Sequence, residues 1–197
     1  MQTDEVLDHF RQTGAMLEGH FELSSGLHSD RYFQCALVLS QPRRAGALAL
    51  AFAERFKLEV DVVVGPAMGA VVWAQEVGRA LDRRAMFTER VGGVMTLRRG
   101  FCFEPGERCL VVEDVLTTGG SAREALEVVR AHGGLPVGVG SMINRSGGNP
   151  FDGEPLPLTC LAEVEVQVWE PAECPLCAAG GTAVKPGSRT ALAGGGH

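Results

Sequence analysis

Residues 61–81 read DVVVGPAMGAVVWAQEVGRAL, and this stretch decides the fold. Val62 to Val64 are apolar at every position, Gly65-Pro66 turns the chain, and Ala70, Trp73, Val77 and Leu81 then recur in helical phase. A continuous apolar run needs cover on both faces, so a run followed by a turn and a helix reads as a parallel strand and its crossover. The pattern returns downstream: an apolar strand at Leu110–Val112, a loop at Thr117–Ser121, and a helix with Ala122, Ala125, Leu126 and Val129 on one face, stopped by Gly133-Gly134. Arg84–Phe87 predicts a short strand, Val137–Met142 another, and Leu158–Val168 one or two more. Such units in series specify an α/β fold with a central, mostly parallel sheet and flanking helices. The loops at the carboxyl ends of its strands gather along one edge, where function belongs.

Upstream, Val6, Leu7, Phe10 and Leu17 share a face and predict a helix over residues 3–17, with Gly19 as its stop. GHFELSSGLHSDRYFQC, residues 19–35, predicts two short strands around Ser25-Gly26. A further helix runs to Lys57, with Ser40 as cap, Pro42 in the first turn, and Ala45, Leu48, Phe52 and Phe56 on one face. Residues 89–100, ERVGGVMTLRRG, read as a loop or a loose β excursion, and the Gly-, Ala- and Pro-rich tail from Gly180 is expected to be flexible.

Composition narrows the classes. A chain of 197 residues with a hydrophobic share of 45% fits one compact domain, or a domain with a small appendage. Its 18 basic against 24 acidic residues give a formal charge of −6 with no Lys/Arg stripe, which disfavours nucleic acid as a partner. No stretch approaches the roughly 20 apolar residues of a membrane span, and MQTDEVLDHF carries acid before any apolar run, unlike a signal peptide. The scattered cysteines resemble buried reduced thiols, so the cytoplasm is the expected compartment.

The chemistry concentrates in LVVEDVLTTGGSA, residues 110–122. The paired carboxylates of Glu113 and Asp114 can accept hydrogen bonds from vicinal hydroxyls or hold a divalent cation. Thr117, Thr118, Gly119, Gly120 and Ser121 then expose successive backbone N–H groups at a helix start, which makes a phosphate nest. Together they describe a site for a ribose 5-phosphate group. No GxGxxG opens a βαβ unit, and no Walker loop occurs.

This segment resembles the phosphoribosyl diphosphate motif of the type I phosphoribosyltransferases, which implies their Rossmann-like fold with a small N-terminal hood. FELSSGLHSDRYF (21–33), GPAMGAV (65–71), INRSGG (143–148), CPLC and KPGSR are similar to segments of the orotate phosphoribosyltransferases within that family. The resemblance divides the chain into a helix and base-binding hood segment (1–38), a core (39–165) with a mobile loop at 89–100, and a C-terminal strand, turn and tail (166–197). It implies Mg²⁺-dependent transfer of ribose 5-phosphate from phosphoribosyl diphosphate to orotate, and a homodimer that shares the mobile loop. Glu113 and Asp114 would hold the ribose hydroxyls, directly or through metal-bound water. Thr117 to Ser121 would cradle the 5-phosphate, and Ala67, Met68 and Gly69 would offer backbone to the diphosphate. Arg145 would take the carboxylate of orotate, with Ser24, Ser25, Gly26, Phe33 and Thr117 around the base. A purine-type phosphoribosyltransferase, a sensor that keeps the ribose-phosphate site, and a non-catalytic protein with a drifted loop are the alternatives.

The chain departs from the family's usual pattern in its cations. Ser24 and Met68-Gly69 stand where lysines are common, and the 89–100 segment has neither lysine nor histidine. Arg90, Arg98 and Arg99 are the cations left to neutralise diphosphate. Cys174 and Cys177 form a lone CxxC without the second pair that a four-thiolate zinc site needs. A structural turn, a labile disulfide, and a metal shared between subunits with help from other cysteines or His132 all stay open. His28 reads equally as a loop histidine near a polyanion or as scaffold, and His20, His132 and His197 make no case.

Overall fold

The computed structural model describes residues 1–23 and 25–186; Ser24 and residues 187–197 lie outside it. The N-terminal part runs α1 (Thr3–Gln12), β1 (Met16–Glu22), β2 (His28–Phe33), α2 (Cys35–Leu39) and α3 (Pro42–Arg55). The core follows with β3 (Val62–Pro66), α4 (Ala70–Leu81), β4 (Arg84–Val91), β5 (Val94–Leu97), β6 (Arg108–Leu116), α5 (Gly120–Ala131), β7 (Leu135–Asn144) and β8 (Leu158–Glu163). The chain closes with β9 (Val168–Trp169), a 3₁₀ turn at Pro171–Glu173, and α6 (Pro175–Ala178).

The main sheet has the order β5-β4-β3-β6-β7-β8, parallel throughout except for β5. Alternation along its strands divides the core in two. Val63, Leu110 and Val112 face α3 and α4, packing with Leu48, Phe52 and Trp73. Val62, Val64 and Val111 face α5, packing with Ala122, Leu126 and Phe151. A strand wanted by both layers has no polar face to spare, which is why Val62–Val64 carries no alternation. At one crossing the layers nearly touch: an ideal Cβ on Gly140 of β7 would sit 2.8 Å from Phe52 Cε2 and 3.3 Å from Val112 Cγ1.

A second sheet, β1-β2-β9, is antiparallel and forms the hood. Both ends of the chain build it, because β9 adds to β2 and Val184 bridges Phe21 of β1. The tail expected to be loose from Gly180 is therefore paired as far as Val184, while residues 187–197 lie outside the described residues.

Several local expectations are corrected. The first helix ends at Gln12, Gly14 takes a φ of 66°, and Leu17 belongs to β1. Ser40 does not cap α3: Gln41 occupies that position, and the Ser40 hydroxyl donates to the Leu37 carbonyl at 2.7 Å. Of the two readings of residues 89–100, loop or β excursion, the second holds. Val91 pairs with Val94 across Gly92-Gly93, whose φ values of 58° and 86° suit a two-residue hairpin turn, so the segment is a β4–β5 hairpin.

Candidate active site

Glu113 and Asp114 lie within β6, not beyond it, because β7 pairs alongside as far as Leu116 opposite Asn144. Glu113 is buried, and desolvation with the neighbouring Asp114 charge pushes its carboxyl up to about 8. Burial raises Asp114 as well, opposed by the Val115 N–H that donates to Oδ1 at 3.0 Å and by a hydrogen bond from the Cys35 thiol. Cys35 opens α2, and burial followed by the charge of Asp114 keeps its thiol protonated. Nothing in the sequence marked this cysteine as a partner for Asp114. Among the described residues, no Lys or Arg forms an ion pair with either acid. An uncompensated pair of carboxylates, offering hard oxygen donors, fits a magnesium ion.

The nest follows directly. Gly119 has a φ of 74°, and α5 begins at Gly120, so the first-turn N–H groups lack partners within the helix. Arg123 reinforces the turn from behind: its Nη1 donates to the Thr118 carbonyl at 2.8 Å, its Nη2 reaches the Pro150 carbonyl, and its guanidinium lies 5.3 Å from the Phe151 ring centre. Carbonyls held on that side leave N–H groups for an anion on the other.

Two clefts meet here. One, of about 430 Å³, is lined by Arg90, Glu113, Asp114, Val115, Leu116, Thr117 to Ser121, and Glu124. The other, of about 610 Å³, brings together Ser25, Tyr32, Phe33, Arg145, Ser146 and Lys185 among others. Val115, Thr117 and Thr118 belong to both walls. Arg145 follows β7, its N–H donating to the Leu116 carbonyl at 2.9 Å. Its side chain is half-buried, with desolvation lowering its pKa against the smaller pull of Asp30 and Tyr32.

Other site candidates are placed less directly. Phe33 borders the second cleft, yet its ring packs edge-on against Phe10 in the core at 5.9 Å. Tyr32, beside it, is half-buried and lines the same cleft. Gly26, with a φ of 85°, shapes the β1–β2 turn, and Ser24 lies outside the described residues. The Ala67 N–H is spent on the Thr88 carbonyl at 2.7 Å, and Met68 is 83% exposed. Gly69 sits so close to Asp114 that an ideal Cβ would fall 2.9 Å from both carboxylate oxygens. Of the hairpin arginines, only Arg90 lines either of these two clefts, held by Glu124 at 2.6 and 2.8 Å. Arg98 and Arg99 turn instead to Glu89, at 3.7 and 2.8 Å. Lys185 and Pro186 complete the wall of the larger cleft from the C-terminal segment. Their sole signal in the sequence was the KPGSR resemblance.

The phosphoribosyl transferase domain family matches residues 38–171. Over 190 residues the chain is 53% identical to the orotate phosphoribosyltransferase of Pelotomaculum thermopropionicum, covering 96% of this chain and 99% of that one. The chain belongs to the orotate phosphoribosyltransferase family. The orotate phosphoribosyltransferase of Desulforamulus reducens is 50% identical over 190 residues, 96% of this chain and 98% of its own. Among solved structures, the orotate phosphoribosyltransferase of Mycobacterium tuberculosis, determined with inorganic phosphate, aligns at a TM-score of 0.66 and 26% identity over 81% of this chain and 94% of that one. Orotate phosphoribosyltransferases are pentosyl-transferring enzymes, and near full-length identity of this order decides against the purine-type and drifted alternatives.

Proposed function

We propose that the chain transfers ribose 5-phosphate from phosphoribosyl diphosphate to N1 of orotate, releasing diphosphate and orotidine 5′-monophosphate. The observation that carries this reading is the pair of clefts sharing Val115, Thr117 and Thr118: a phosphate nest with carboxylates on one side, an arginine-bearing pocket on the other. Breaking the anomeric bond leaves positive charge on the ribose and negative charge on the departing diphosphate. Positioning and electrostatics therefore supply catalysis, and no covalent nucleophile is needed.

In this reading Thr117 to Ser121 hold the 5-phosphate, and Glu113 and Asp114 orient the ribose hydroxyls. The guanidinium fork of Arg145 matches the orotate carboxylate, with Tyr32 beside the ring. A magnesium ion near Glu113 and Asp114 would neutralise charge on the diphosphate. Arg90 serves the leaving group once Glu124 releases it. A homodimer would give Arg98 and Arg99 a second destination, a neighbour's phosphate cleft, and closed two-fold pairs are the commonest soluble assembly. A reducing compartment such as the cytoplasm suits the free cysteines.

Orotate consumption is measured with phosphoribosyl diphosphate and Mg²⁺, alongside adenine, guanine and hypoxanthine as competing acceptors. Turnover confined to orotate is expected. A purine base turned over as efficiently would overturn the assignment.

A further inference from the structure

Four metal-ligating side chains meet where the hood closes over the C-terminal segment, and none of them lines either cleft. His28 opens β2 opposite Glu22 of β1. His20 lies two residues before Glu22, within an irregularity in register between Glu18 and Phe21, and alternation from Glu22 turns it to the same face. From the other side, Cys174 caps α6 and Cys177 follows one turn later.

His20 Nε2 lies 3.0 Å from His28 Nδ1, 3.4 Å from Cys174 Sγ and 3.7 Å from Cys177 Sγ. His28 Nδ1 lies 3.3 Å from Cys177 Sγ, and all four ligand atoms fall within 4.8 Å of one another. A tetrahedral zinc ion with Zn–N of about 2.0–2.1 Å and Zn–S of about 2.3 Å needs N···N edges of about 3.3 Å and N···S edges of about 3.5 Å. These four edges lie within about 0.3 Å of the tetrahedral values; the other two, His28 to Cys174 and Cys174 to Cys177, fall within 4.8 Å, against about 3.5 Å and about 3.8 Å in an ideal site.

Hydrogen bonding alone does not account for the cluster. His20 Nε2 has three polar neighbours, and an imidazole nitrogen carries at most one proton. A divalent ion with two thiolates and two neutral imidazoles satisfies every ligand atom and leaves no net charge. Two nitrogens and two sulfurs select zinc over the oxygen-seeking magnesium.

We propose that His20, His28, Cys174 and Cys177 bind one Zn²⁺ ion per chain, in a closed structural site that fastens the C-terminal segment to the hood. The CxxC is then one half of a Cys₂His₂ set completed within the same chain, without a second subunit or a disulfide. His20 escaped the sequence reading because its partner Cys174 lies 154 residues away.

The consequence reaches the base cleft. Val184 N–H donates to the His20 carbonyl at 2.9 Å, Glu22 N–H donates to the Val184 carbonyl at 2.9 Å, and Lys185 pairs with Glu22. Lys185, Pro186 and Val168 then wall the cleft that holds Arg145. A three-stranded hood whose third strand is Val168–Trp169 has little core of its own, so an ion is a fitting staple.

The test uses full-length protein without a polyhistidine tag, purified under reducing conditions with zinc in the growth medium. Elemental analysis is expected to find one zinc per chain after gel filtration. Cobalt exchanged into the same protein should give the intense visible bands of a tetrahedral ion and a thiolate charge-transfer band. Cys177→Ser and His20→Ala should lose the metal, whereas Cys102→Ser, at an exposed cysteine outside the cluster, should keep it. Stripping the zinc should lower Tm by on the order of 5 °C and raise the KM for orotate severalfold, with less change for phosphoribosyl diphosphate. Should a variant fail to fold, metal content and the cobalt spectrum of the unaltered protein still decide. Well under one equivalent of zinc, a Cys174–Cys177 disulfide in freshly isolated reduced protein, or octahedral cobalt would overturn the proposal. An unchanged KM for orotate would overturn its link to the cleft wall.

Discussion

Replacing Arg145 with alanine probes the base side of the site with little collateral damage. The main chain of the residue is tied to β6 through its N–H and the Leu116 carbonyl, so the backbone has no reason to move. Among the described residues, the guanidinium forms no ion pair within 4.0 Å, so its removal strands no paired partner. It is nonetheless half-buried and partly desolvated, which strengthens its bond to any carboxylate that enters. A charge-assisted hydrogen bond contributes about 1.5–3 kcal/mol. At about 1.4 kcal/mol per factor of ten, kcat/KM for orotate should fall roughly 10- to 150-fold. The KM for phosphoribosyl diphosphate should stay within about twofold, because the nest and the carboxylates are untouched.

Steady-state kinetics with each substrate varied in turn, after a melting curve to confirm folding, read this directly. Uracil gives a sharper comparison, since it has the same ring without the carboxylate. The preference for orotate over uracil should shrink in Arg145→Ala by the same factor that orotate loses. Arg145→Lys should fall between, retaining charge but losing the planar fork. An unchanged preference for orotate over uracil would refute the carboxylate role, even if overall activity dropped.

Gly69→Ala places a Cβ 2.9 Å from both oxygens of Asp114, so the carboxylate must shift by several tenths of an ångström; kcat should fall about tenfold or more with Tm little changed, and wild-type kinetics would show that Asp114 does not need its present position. Gly140→Ala drives a methyl against the Phe52 ring and should cost about 1–3 kcal/mol, lowering Tm by roughly 3–10 °C in a melting scan, and an unchanged Tm would mean that the α3–β7 contact relaxes freely. Glu124→Gln frees Arg90 from an exposed pair of little worth to stability; Tm should hold, and the KM for phosphoribosyl diphosphate should fall severalfold, whereas a rise would show that Arg90 is needed where Glu124 holds it.

How much of this was legible in the sequence depended on how local the cause was. Val62–Val64 and Leu110–Val112 announced themselves because burial on two faces demands an unbroken apolar run. Glu113 and Asp114 read as lying past the strand, since polarity normally marks its end. In a parallel sheet the backbone partner, here β7, decides where pairing stops, and polar residues at the carboxyl edge still lie in register. Residues 89–100 read equally as a loop or a β excursion, because two glycines between Val91 and Val94 suit either a slack segment or a tight hairpin turn. Leu17 fitted a helical face equally well as an alternating strand, and short runs do not separate the two periods. The contacts of Cys35 with Asp114, and of His20 with the CxxC, come from chain crossings that no local pattern encodes.

The two halves of the site also differ in construction. The phosphate side comes mainly from one contiguous segment, Glu113 to Glu124, rooted in the main sheet and α5, with Arg90 added from β4. The base side is assembled from distant segments: the β1–β2 turn, Arg145 and Ser146, and Val168 with Lys185 and Pro186. Affinity for phosphoribosyl diphosphate should therefore follow the stability of the core, while affinity for orotate follows the docking of the C-terminal segment. Val184→Pro separates the two. Proline removes the N–H that donates to the His20 carbonyl, and loss of that bond should loosen Lys185 and Pro186 at the hood's edge without touching the main sheet. One hydrogen bond is worth about 0.5–1.5 kcal/mol, so the KM for orotate should rise roughly 2- to 12-fold. The KM for phosphoribosyl diphosphate should not move. If both constants rose together, the two sides would be mechanically one, and the division drawn from their construction would be wrong.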